Sequence, residues 1–94
     1  MILERAEFPV KEGQEVAFSA MMMQHGCRLL AGAEGCHSVR VGRGIENPSK
    51  FILLLEWDSV GHHIALTKTA AFDEFKKLAG PFFAGPSNME HFEV

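Results

Sequence analysis

Residues 51–57 read Phe51-Ile52-Leu53-Leu54-Leu55-Glu56-Trp57, an apolar run interrupted by one acid near its end. The run is too short for an ordinary helix and far too short to span a membrane. Side chains alternate across a strand, and both alternating sets here are apolar, so the run predicts a strand buried on both faces. Ile52 and Leu54 share one face; Phe51, Leu53, Leu55 and Trp57 share the other. A chain of 94 residues has few elements with which to cover two sides of a sheet. Helices can cover one face. A second copy of the chain is the expected cover for the other, because a large apolar patch left open on a soluble domain usually marks an interface.

Working outward, residues 2–8 suit a strand with Ile2, Ala6 and Phe8 on one face, ended by Pro9, which cannot donate to a ladder. Residues 13–31 suit a helix. Phe18, Met22, His25, Leu29 and Ala33 recur at helical spacing as an inward stripe. Gly26 costs that helix about 1 kcal/mol relative to Ala, which suggests that another backbone passes close by. Gly32 and Gly35 bracket the exit from it. Residues 35–43 suit a second strand, with Cys36, Ser38, Arg40 and Gly42 on one face and His37, Val39, Val41 and Arg43 on the other. Asn47-Pro48 signals a turn into the apolar strand.

Beyond that strand, Asp58 or Ser59 can cap a helix over 60–67, since either oxygen can accept from the free amides of a first turn. A further helix over 70–79 turns Phe72, Phe75 and Leu78 inward and stops at Gly80-Pro81. Residues 82–86 form an apolar loop, and 87–94 a last strand. The order β-α-β-β-α-β predicts an α+β, ferredoxin-like, four-stranded antiparallel sheet with its helices on one face, in a single domain over 1–94.

Composition narrows the function. Net charge is −3 with no basic stripe, so nucleic acid is not an expected partner. The N-terminus carries acids where an export signal has an apolar segment. Cys27 and Cys36 do not make a disulfide framework, and both features predict a cytoplasmic protein with no membrane role. With eight Phe and no Tyr, any pocket is apolar and takes its polar groups from His, Ser, Thr, Asn, Gln, Arg or acids.

Leu55-Glu56-Trp57-Asp58-Ser59, His63 six residues after the Trp, Ala71-Phe72-Asp73-Glu74-Phe75, Gly80-Pro81-Phe82-Phe83-Ala84, Glu90-His91-Phe92 and, earlier, Glu34-Gly35-Cys36-His37 together resemble the antibiotic biosynthesis monooxygenase family. The resemblance spans nearly the whole chain. It implies a dimeric α/β barrel, with a pocket between sheet and helices in each subunit. It also implies oxygen insertion into phenols or hydroquinones without flavin, haem or metal. Haem-degrading members carry an Asn on the first strand, a second Trp and a later His; none stands at the matching place here, so haem degradation is not expected. The Tyr residues of some polyketide-oxidising members are absent as well.

Oxidation without a cofactor needs a base titrating near neutral pH, an apolar pocket that excludes water, and a donor for the developing oxyanion. His63, the family-matched histidine, is the candidate catalytic base. Trp57, Met22 and Phe75 are candidate pocket walls, and His25 and His37 candidate polar contacts to a small apolar or aromatic ligand. Each also has a plainer role: Trp57, Met22 and Phe75 as core, His25 as a satisfied core histidine, His37 and Arg40 as surface. His91 competes between pocket and dimer packing. His62, about 100° around the helix from His63, is expected to face solvent. No metal is expected, because adjacent His62 and His63 diverge and no acid or Cys stands at a usual ligand spacing. Two other functions fit the same features: a non-catalytic dimeric binding module, and an isomerase or lyase using one His for proton transfer.

Overall fold

In the computed structural model, which describes residues 1–94, the apolar run forms strand β3 (Lys50–Trp57). It lies in a four-stranded antiparallel sheet with β1 (Ile2–Pro9), β2 (Cys36–Arg43) and β4 (Asn88–Glu93), in the order β2-β3-β1-β4. The helical elements are α1 (Glu15–Met21), a π-helical turn (Met22–Gly26), α2 (Cys27–Ala31), α3 (Val60–Leu66) and α4 (Ala70–Ala79), followed by a 3-10 turn (Gly80–Phe82). This is the ferredoxin-like plan. The two central strands, β1 and β3, pair over their full length from Ile2 opposite Trp57 to Pro9 opposite Lys50.

The helices take the larger apolar set of β3. Phe51, Leu53, Leu55 and Trp57 are buried, together with Ala6 and Phe8 from β1 and Phe18, Met21, Met22 and Leu30 from the first helical layer. Phe82, at the end of the 3-10 turn, and Phe83, in the apolar loop that follows, close one end of this core. Phe83 sits 4.9 Å from the Phe8 ring and Phe82 5.6 Å from that of Phe18, centroid to centroid.

The first helix departs from the predicted stripe. Its π-helical turn holds more than 3.6 residues per turn, so the inward positions continue from Phe18 through Met22 to Gly26 and Leu30, and His25 is left exposed. Gly26 meets no passing backbone. A side chain there would strike Met22 Sδ of its own helix.

β2 departs too. His37 is an extra residue between Cys36, opposite Trp57, and Ser38, opposite Glu56. This bulge turns Cys36 onto the helix face with Val39 and Val41, breaking the alternation expected of an ideal strand. Ser59 rather than Asp58 caps α3, accepting from the His62 amide at 3.2 Å, and Thr69 caps α4 in the same way. Gly35 makes the turn into β2 at φ 80°, where an added Cβ would also collide with the His62 ring.

The other sheet face carries the smaller apolar set, Ile52 and Leu54, beside Leu3 and Phe92. Charged residues share it: Glu7 lies 2.7 Å from Lys50 Nζ and 2.6 Å from Arg5 Nη1, and Arg5 also bonds Glu90. The Lys50 hydrogen bond, with the nearby Arg5 charge, holds the Glu7 carboxyl below its ordinary value of 4.5. A carboxyl lowered on folding adds stability that is complete above the unfolded value and is lost as pH falls through the folded one. Urea melts of the wild type should therefore weaken as pH drops below about 4.5, and Glu7→Gln should weaken less over that interval. Equal slopes for the two proteins would show that Glu7 carries none of the acid sensitivity.

Candidate functional site

Alternation along β1 puts Glu4 on the same face as Ala6 and Phe8, so this acid enters the apolar layer between sheet and helices. It is 5% exposed, the buried charged residue of a core otherwise built from hydrophobic side chains. Burying a carboxylate is costly unless partners compensate, and three aromatic side chains surround this one. Trp57, at the end of β3, donates its indole N–H to Glu4 Oε1 at 2.9 Å. His63, one turn into α3, brings Nδ1 within 2.8 Å of the same oxygen. His91, the cross-strand partner of Glu4 on β4, places Nε2 at 3.7 Å from it.

The two histidine rings lie edge to face with centroids 4.7 Å apart, and Trp57 meets His63 edge-on at 5.8 Å. The histidine contacts are ion pairs by distance but lack hydrogen-bond alignment. His63 Nδ1 and His91 Nε2 are both buried and without a hydrogen-bond partner.

Burial pushes the Glu4 carboxyl up. The His63 contact, the Trp57 hydrogen bond and the His91 charge more than offset this and hold it below its ordinary range. Glu4 is therefore a carboxylate at neutral pH, aimed at two imidazoles.

Beside this cluster lies a cavity of about 260 Å³. Ala6, Phe8, Leu53 and Leu55 form its floor on the sheet, Leu30, Leu66, Phe72 and Phe75 its helical wall, and Glu4, His63 and Thr67 contribute polar groups. Its volume falls just below the usual range for drug-sized ligands and suits about one aromatic ring. A second cleft, about 420 Å³, lies among α2, α3 and the start of α4, lined by Arg28, Leu29, Glu34, His62 and Thr69. It is larger but more open to solvent and has no buried polar group converging on it, so the smaller cavity is the better candidate for chemistry.

The candidate residues separate accordingly. His63 and Phe75 line the cavity. Trp57 is fully buried and reaches the site through its bond to Glu4. Met22 is fully buried in the core beneath Gly26 and does not line the cavity. His25 is exposed on the far side of its helix. His37 is exposed at the bulge and pairs with Asp58 at 2.6 Å, lowering the Asp58 carboxyl by that hydrogen bond. His62 is half-buried against Gly35, bonded to Ser59 Oγ at 2.8 Å.

Sequence reasoning missed Glu4. Its signal was present: an acid in phase with Ala6 and Phe8 on an otherwise apolar strand face. His91 was noticed, but its position opposite Glu4 follows from β1–β4 pairing alone.

The family model for antibiotic biosynthesis monooxygenases matches residues 1–78. A crystal structure from Bordetella bronchiseptica that carries the same family name is 35% identical, with a TM-score of 0.93 over 99% of this chain and 95% of that one. A solved structure from Nitrosomonas europaea, 15% identical, superposes with a TM-score of 0.84 over 100% of this chain and 98% of that one, a likeness of fold. The uncharacterized protein YczJ of Bacillus subtilis (strain 168) is 27% identical over 94 residues, covering 99% of this chain and 98% of its own.

Proposed function

Because the chain belongs to the antibiotic biosynthesis monooxygenase family, we propose that it oxidises a small phenol or hydroquinone with O2 in the cavity beside Glu4 and His63. The observation that carries this reading is the buried carboxylate–imidazole pair at the wall of an apolar cavity. With Nδ1 turned toward Glu4, Nε2 of His63 is the nitrogen left to take a proton. The Glu4 carboxylate stabilises the imidazolium that forms, as a buried acid does behind a catalytic histidine. The deprotonated substrate is the electron donor. A phenol with a ring C–H and one O2 give a quinone and one water, so one oxygen atom stays on the ring. The apolar walls exclude water and strengthen each electrostatic contact inside.

The reading is tested by oxygen uptake against a panel of single-ring phenols and hydroquinones. Uptake that His63→Ala abolishes supports it. Binding without uptake favours a non-catalytic ligand-binding module, and turnover that needs no O2 favours an isomerase or lyase.

The working unit in this proposal is a cytoplasmic homodimer joined through the open sheet face. Leu3, Ile52, Leu54 and Phe92 supply apolar area there; Arg5, Glu7 and Glu90 supply charges that can set the register. Light scattering should give about twice the monomer mass of 10.4 kDa, and Leu54→Glu should halve it. A wild-type monomer would overturn the dimer.

A further inference from the structure

We propose that Glu4, His63 and His91 form a binding site for one divalent first-row transition-metal ion. Glu4 Oε1, His63 Nδ1 and His91 Nε2 all lie within 4.8 Å of one another. Two of the separations, 2.8 Å and 3.7 Å, bracket the spacing of neighbouring donors around an ion bound at about 2.0–2.2 Å. Both imidazole nitrogens are buried with no hydrogen-bond partner. Buried polar atoms are rarely left so, and two orphans facing one carboxylate oxygen need a common partner. A cation between them supplies it.

The donor set indicates the class of ion. Two imidazoles and one carboxylate suit Zn2+, Co2+, Ni2+ or Fe2+ better than Ca2+ or Mg2+, which prefer all-oxygen shells. The surroundings suit it too. Trp57 donates to the ligating carboxylate at 2.9 Å and so holds it in place, the usual task of an outer-shell group. Three protein ligands leave further coordination positions open, and Glu4 and His63 already line the cavity. The ligands come from β1, α3 and β4, a set that no local spacing announces.

The ion and the base exclude one another. Coordination through Nδ1 leaves Nε2 of His63 protonated, so it cannot accept a proton from substrate. Metal loading thus converts the site from a proton acceptor to a Lewis acid.

The test is a Co2+ titration of the full chain near neutral pH, followed by visible absorption and by equilibrium dialysis with metal analysis. The expected result is one Co2+ per chain, displaced by Zn2+. Glu4→Gln and His91→Ala should each weaken binding by roughly 10- to 100-fold or more. His25→Ala, His37→Ala and Cys36→Ser, which lie outside the donor set, should leave it unchanged. A wild-type NMR measurement guards against variants that fail to fold: ring nitrogens of His63 and His91 should shift with Zn2+ while those of His25 do not. No saturable binding, binding that His91→Ala leaves intact, or binding lost in Cys36→Ser overturns the site. The readout is independent of turnover, so its failure is distinct from failure of the oxidation proposal.

Discussion

Replacing His63 with alanine should lower oxygen uptake on the best hydroquinone or phenol by roughly 10²- to 10⁴-fold, the usual contribution of a positioned general base. The loss should fall mainly in kcat, because the apolar walls that bind the ring stay in place. Glu4→Gln should lower kcat less, since it removes the charge behind the imidazole but keeps an acceptor for Trp57. Unchanged uptake in His63→Ala, with the fold intact by circular dichroism, would remove His63 from the reaction. His62→Ala is the matched control. It is adjacent in sequence, but its ring is held by Ser59 against Gly35, away from Glu4.

Trp57→Ala should cost about 3–5 kcal/mol of stability, the range for deleting a buried indole. Trp57 is fully buried at the end of the central strand. It is also the one well-aligned donor to a buried carboxylate, so its loss leaves Glu4 under-satisfied in addition to opening a cavity. Trp57→Phe separates the two effects. It keeps most of the packing and removes the donor, and should cost about 1.5–3 kcal/mol, as for hydrogen bonds to charged groups. Urea denaturation of both variants reads this directly. If Trp57→Phe is neutral, the indole is held by packing alone and Glu4 draws its compensation from the histidines.

The two expectations are linked by Glu4. A buried acid is a liability to the fold and an asset to the site. Its neighbours Trp57, His63 and His91 hold it as a carboxylate below its ordinary range despite burial. The fold tolerates the charge because the site satisfies it. Those same neighbours decide what the charge can do: stabilise a proton on His63 or, as proposed, share a metal ion with two imidazoles.

Much of the fold was legible because its signals are local. The alternation of Phe51 through Trp57, the Gly80-Pro81 stop, the Asn47-Pro48 turn and the oxygen at Ser59 each act within a few residues. The misread elements fail for one physical reason. The π-helical turn at Met22–Gly26 and the bulge at His37 each add a residue to a repeat, and an added residue moves every later side chain to a new direction. Hence His25 leaves the core and Cys36 enters it. Neither insertion has a sequence signature, because each is decided by what the element packs against. The Met22 sulfur over Gly26 marks the first, and Trp57 opposite Cys36 marks the second.

The site divides the same way. From sequence alone come the order of the elements, Phe75 on the cavity wall, and a histidine one turn into the helix after Trp57, because periodicity and capping are properties of short segments. Tertiary structure alone decides that Glu4, His63 and His91 meet. Their separation along the chain is large, and their contact depends on β4 pairing with β1 in one register and on α3 bringing His63 to within 2.8 Å of Glu4. A shift of β4 by one residue would turn His91 to the open face and leave Glu4 one imidazole fewer, since side chains on a strand alternate with period two.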